Sequence, residues 1–163
     1  MVATRFAVAI HILLLLAYNG EDGKATSEVL ARSVNTNPVV VRRITGLLAR
    51  AGLVRVRRGP GGAELARPPG EISLGDVWRA MQSGVGRPLL PLHASPAQHC
   101  PVGREVHSLI GSAFEAAEHA MEQALGRTTL DSLVRTLAGT RERADAGEQE
   151  AVSLVPLRRG RTG

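Results

Sequence analysis

The sequence predicts a mainly α-helical fold with one small β-hairpin. Two stretches carry that reading. Residues 35–67 (NTNPVVVRRITGLLARAGLVRVRRGPGGAELAR) run as a short turn, a helix, a strand, a Gly/Pro turn and a second strand. Residues 102–125 form a long helix whose apolar positions repeat at heptad-like spacing. A length of 163 residues suits one domain, or one domain with an appended helix.

Taken in order, Thr4 to Asn19 reads as a first helix. It is apolar nearly all round and so is expected to be buried between others, with His11 as a core or interface residue. Its apolar run is too short to span a membrane, which takes roughly 20 residues. Arg5 ahead of that run is a signal-peptide feature, but no A-x-A-like cleavage site follows. A cytoplasmic protein with no membrane partner is expected. Thr26 caps a second helix, Ser27 to Val34, with Val29, Leu30 and Val34 facing inward. Asn35-Thr36-Asn37 is the short connection of a helix-turn-helix.

Asn37 is a good N-cap for the third helix, and Pro38 fits its first position, where no amide donor is needed. Val40, Val41, Ile44, Leu47, Leu48 and Ala51 make one face. Val39, Arg42, Arg43, Gly46 and Arg50 fall on the other, and Gly52 ends the helix. LVRVRR then alternates apolar and basic residues, as a half-exposed strand does. Arg58 to Gly62 is the hairpin tip, and Pro68-Pro69-Gly70 closes the hairpin. The tip lacks the Gly-Lys-Ser/Thr that a phosphate-cradling loop needs.

Charge gathers on this segment. Arg42, Arg43, Arg50, Arg55, Arg57, Arg58 and Arg67 stand there against a single acid, Glu64, in a chain of net charge +5. A helix with a basic outer face followed by a basic hairpin is the footprint of a winged helix-turn-helix on double-stranded DNA. Phe6, Tyr18, Trp78 and Phe114 are the only aromatics, too few for the stacking platforms of single-strand or RNA recognition.

Ser73 caps a fourth helix, in which Ile72, Leu74, Val77, Trp78 and Met81 pack onto the winged unit. Residues 83–99 read as a long irregular loop. In the long helix, Val106, Ile110, Ala113, Ala117, Ala120 and Ala124 form a seam that Leu109, Phe114, Met121 and Leu125 widen. Arg104, Glu105, Glu115, Glu118 and Glu122 are expected on the opposite face. Alanines allow close approach of a second helix, so Val106, Ile110, Ala113, Phe114, Ala117, Ala120, Met121 and Ala124 are the expected dimer interface. Thr129 caps a last helix, Leu130 to Leu137. The boundaries follow: residues 1–82 the winged helix-turn-helix, 83–100 a linker, 101–138 the dimerisation helix with the short terminal helix, and 139–163 a basic tail expected to be disordered.

Four segments resemble the Rrf-two family of winged helix-turn-helix transcription regulators, in its YwnA-like branch, relatives of IscR, NsrR and CymR. They are Phe6 to Leu16, NTNPVVVRRITGLLARAGLV, RGPGGAELARPPGEISLGDVWRA, and HCPVGREV with TTLDSL, together covering about residues 4–137. The resemblance implies a homodimer with crossed C-terminal helices and two recognition helices, bound to a near-palindromic operator, for repression or occasionally activation. Some members hold an iron–sulfur cluster through three cysteines before and at the start of the dimer helix. Here only Cys100 stands, so no cluster, and no other cofactor, is expected. A divalent metal site from His93, His99, Cys100 and His107 has no diagnostic spacing, and none is expected. A thiol switch at Cys100 is the sensing expectation.

Base edges fall to Asn37, Val39, Arg42 and Arg43; phosphate contacts to Thr26, Ser27, Thr36 and Arg50; and the adjacent groove or backbone to the wing, through Arg57, Arg58, Gly59 and Gly61. No paired carboxylates, Ser/His/Asp set or cofactor loop suggests an enzyme. The alternatives are a metal-responsive or signal-independent regulator of the same fold, or a protein-interaction module that does not bind DNA.

Overall fold

The computed structural model describes residues 2–18, 25–57, 61–82, 89–92, 94–97 and 99–140. Arg58 and Gly59 of the hairpin tip, His93, and the tail from residue 141 onward lie outside the described residues. The elements are α1 (Val2–Tyr18), α2 (Ser27–Val34), α3 (Pro38–Arg50), β1 (Val54–Val56), β2 (Ala63–Leu65), a 3-10 turn (Pro69–Glu71), α4 (Leu74–Gln82) and α5 (Pro101–Gly126). A final helix, α6, covers residues 130–140.

Local chemistry sets the helix ends. Thr26 accepts from the Val29 N–H to open α2, and Asn37 Oδ1 accepts from the Val39 N–H at 2.8 Å to open α3. Between them Asn35 takes a left-handed conformation (φ 53°), which asparagine tolerates better than most residues, and turns the chain toward α3. Ser73 and Asp76 form a reciprocal cap on α4. The Asp76 N–H donates to Ser73 Oγ, while the Asp76 carboxylate accepts from the Ser73 N–H and hydroxyl. Burial opposes ionisation of Asp76, but hydrogen bonds from Ser73 and the Arg79 guanidinium outweigh it and hold the carboxyl below its ordinary value.

The strands pair antiparallel, with Val54 opposite Leu65 and Val56 opposite Ala63. Ala25, just ahead of α2, adds two backbone hydrogen bonds to Ala63, of 3.1 and 2.9 Å, and ties the wing to the helix-turn-helix. Gly62 makes this approach possible. Its φ is +63°, and a Cβ there would lie 2.7 Å from the Ala25 carbonyl oxygen.

One core joins all these parts. Ile12, Leu13 and Leu16 of α1 meet Leu30, Val41, Ile44, Leu48, Leu53, Ile72, Val77 and Met81. Phe6 stands edge-on to Trp78, with ring centroids 5.2 Å apart. Leu130, the first residue of α6, is fully buried in the same core. Backbone bonds hold it there, from the Leu74 N–H to the Thr128 carbonyl and from the Leu130 N–H to the Ile72 carbonyl.

Several expected faces are drawn differently. His11 is exposed and lies 3.4 Å from the Ser33 hydroxyl, so α1 keeps one side open. Val29, Val40 and Ala51 are exposed. Short helices that pack along one side bury a narrower stripe than their apolar content suggests. On α3, buried Thr45 joins that stripe and donates its hydroxyl to the Val41 and Arg42 carbonyls. On α5, Glu122 faces this chain's own winged unit and Glu118 the segment that precedes α5. Glu118 accepts from the Leu90 N–H at 2.8 Å, and Glu122 pairs with Arg79. Phe114 is half-buried on that same side, lining a small pocket with Leu90 and Leu92.

Candidate nucleic-acid interface

Helix α3 presents an exposed ridge. Val39, Arg43, Gly46 and Arg50 follow one another at three- and four-residue steps, and Val39 is 63% exposed. Both arginines project from the protein, and neither has a carboxylate partner among the described residues. Arg42 lies beside the ridge, held at 2.6 Å by Glu28 of α2. The Glu28 carboxyl is held below its ordinary value, first by a backbone hydrogen bond at the helix start and then by Arg42. Both partners are more than half exposed, so this is a weak, screened pair that a phosphate or base can displace.

A cleft of about 280 Å³ separates α3 from the wing. Thr26, Ser27, Arg42, Val56, Arg57 and Gly62 are among its lining residues, so two expected phosphate contacts face the wing cation directly. Arg57 is paired with Glu64 at 3.4 Å across the hairpin. Gly61 packs over Arg57, where a Cβ would come within 2.5 Å of the arginine Cβ. Thr36 is half-buried, and Asn37 is exposed with its acceptor oxygen engaged in the cap, which leaves its amide donors for a ligand.

Glu28 and Glu64, the two acids that position cations here, were not among the expected site residues. The partner of Glu28 is fourteen residues away, so no local spacing announces it. The Glu64 pairing follows from strand register, which sets Arg55 opposite Glu64 with Arg57 two positions along the strand.

Cys100 is half-exposed at the N-cap of α5, and its side chain makes no capping bond. One thiol falls short of what an iron–sulfur cluster takes: four thiolates as a rule, and two with two histidines in Rieske centres. Among the described residues, no three His, Cys, Asp or Glu side chains come together to hold a metal, and no helix is long and apolar enough to cross a membrane.

Two helices joined by a tight turn, a following hairpin and a basic exposed ridge define a winged helix-turn-helix of the DNA-binding kind. Residues 2–136 match the Rrf2 family, described as an iron-dependent transcriptional regulator. The chain is 42% identical over 137 residues to YwnA of Bacillus subtilis (strain 168), a candidate helix-turn-helix transcriptional regulator, covering 84% of this chain and 99% of that one. A solved structure of a candidate DNA-binding protein is 40% identical with a TM-score of 0.64, covering 79% of this chain and 97% of that one. IscR of T. potens has the same fold at 22% identity and a TM-score of 0.61, over 82% of this chain and 85% of its own. CymR of B. subtilis, the global cysteine regulator, matches at 23% identity and 0.58, over 81% and 94%. This chain is a member of the Rrf-two (Rrf2) family of transcriptional regulators.

Proposed function

We propose that the chain works in the cytoplasm as a homodimeric, sequence-specific DNA-binding repressor at a near-palindromic operator, and is not an enzyme. The observation that carries this reading is the exposed ridge of α3, with Arg43 free of any carboxylate among the described residues, set beside a wing anchored to the start of α2. Asn37, Val39, Arg42 and Arg43 read base edges; Thr26, Ser27, Thr36 and Arg50 hold the backbone; and Arg57 to Gly61 follow the adjacent groove. Each good bidentate arginine–guanine contact contributes about 1–3 kcal/mol of discrimination. Arg43→Ala is expected to weaken operator binding at least tenfold while leaving affinity for unrelated duplex nearly unchanged, read by fluorescence anisotropy on both DNAs. An equal loss on both would make Arg43 a phosphate contact instead.

The second copy docks on the outer face of α5. Val102, Leu109, Ala113, Ala117, Ala120 and Ala124 are exposed there, with Val106 and Ile110 half-buried, on the side away from Phe114 and Glu118. Cys100, half-exposed where α5 begins, is the candidate sensor. Its oxidation would act on the helix that sets the spacing of the two reading heads. Wild-type protein is expected to lose operator affinity on peroxide treatment and regain it with reductant, and Cys100→Ser to be indifferent. A response that persists in the serine variant removes the thiol from the account.

A further inference from the structure

We propose that the cleft behind the recognition helix binds a small oxyanion-bearing molecule, a carboxylate or a phosphate ester, as an effector. The proposal rests on the DNA-binding reading and adds a regulatory site to it. The cleft has a volume of about 410 Å³, within the range of small-molecule sites. Arg50 from the end of α3, Leu53, Arg67 from the exit of the wing, and Asp76, Arg79 and Ala80 from α4 line it.

Three arginines line it beside one carboxylate, Asp76; Arg79 is held by Asp76 and by Glu122, and Asp76 is fully engaged. Asp76 accepts from the Ser73 N–H, the Ser73 hydroxyl and Arg79. Arg50 and Arg67 have no carboxylate partner among the described residues. The Arg67 Nε is buried and has no hydrogen-bond partner among the described residues. A buried N–H without an acceptor is costly, and most such groups in native proteins are satisfied. An oxyanion in the cleft supplies the acceptor, and the planar arginine fork suits carboxylate and phosphate alike.

The other walls separate this site from the reading surface. Arg50 is the one lining residue shared with the proposed DNA contacts, and it lies about 16 Å along α3 from Val39, at 1.5 Å per residue. The cleft is completed by α4, whereas the wing cation Arg57 lines the other cleft. Arg79 also pairs with Glu122 of α5. An oxyanion that draws on Arg79 competes with Glu122, which links occupancy to the seating of α5.

The test uses the full chain. Thermal unfolding is followed in inorganic phosphate and in succinate, each against chloride at matched ionic strength. The expected result is a saturable rise of a few degrees with one or both probes, lost in Arg67→Gln and in Arg50→Gln but kept in Arg43→Gln. The two probes separate phosphate from carboxylate recognition. No rise beyond chloride overturns the proposal, as does a rise lost equally in Arg43→Gln, which marks diffuse attraction to a basic surface. Should Arg67→Gln fail to fold, the exposed Arg50→Gln carries the comparison with Arg43→Gln. Operator is then titrated without either probe. Wild type and Arg67→Gln should agree within twofold. A tenfold loss with a salt slope shallower by about one would make Arg67 a DNA phosphate contact and overturn the proposal. Wild-type operator binding reports separately on the DNA-binding reading.

Discussion

At the scale of single residues, the site depends on backbone positions as much as on cations. Gly52 and Gly62 both hold positive φ, +69° and +63°, but their surroundings differ. A Cβ at Gly52 meets open space, while one at Gly62 runs into the Ala25 carbonyl that anchors the wing. Gly52→Ala is therefore expected to cost about 1–2 kcal/mol of left-handed strain. Gly62→Ala should cost more and also weaken operator binding, because the hairpin must leave Ala25. Chemical denaturation of the two variants, side by side with anisotropy, checks the contrast; equal costs would mean that the wing is held elsewhere. The arginines differ in the same way. Arg42 and Arg57 carry acidic partners and Arg43 has none among the described residues, so equal charge in the sequence becomes unequal availability at the surface.

Among the elements, α2 and α3 were the most legible. Thr26, the Asn37-Pro38 pair and Gly52 announce their ends through local hydrogen-bond and φ requirements, and both helices run where those signals put them. The mainly helical class and the small hairpin were legible for the same reason. Helix α5 was legible in extent but not in orientation. Its apolar residues wrap more than half the circumference, so periodicity alone cannot say which side meets the winged unit. What decides is long-range: Arg79 and the Leu90 N–H draw Glu122 and Glu118 inward, and Gly75 lets α4 approach, with a Cβ there only 3.2 Å from Gly126. The alanine side is left outward, and Leu109 at its edge is 68% exposed. Leu109→Glu is thus expected to leave the fold intact, since surface changes typically cost within about 0.5 kcal/mol, yet to convert a dimer to a monomer. Sedimentation equilibrium would read this, and a variant that stays dimeric would move the interface off this face. The core role of Leu130 was illegible because Thr129 signals only a helix start, not what that helix docks against.

For the proposed dimer, the relevant quantity is the field of two basic surfaces acting together. If a dimer neutralises about eight phosphates, the logarithm of the binding constant should fall with log salt at a slope of about −7. A titration from low to moderate salt measures it, and a slope near zero would contradict the DNA-binding reading. On the proposed reading, the Arg42–Glu28 and Arg57–Glu64 pairs open as phosphates arrive, which lowers affinity without lowering the number of cations engaged. The burial of Leu130 has one more consequence. The chain leaves the headpiece through α4, travels the length of α5 and returns a plug to the core it left. A polypeptide nicked between α4 and α5 should therefore stay together as two interlocked fragments, and deleting everything after α4 would uncork the headpiece.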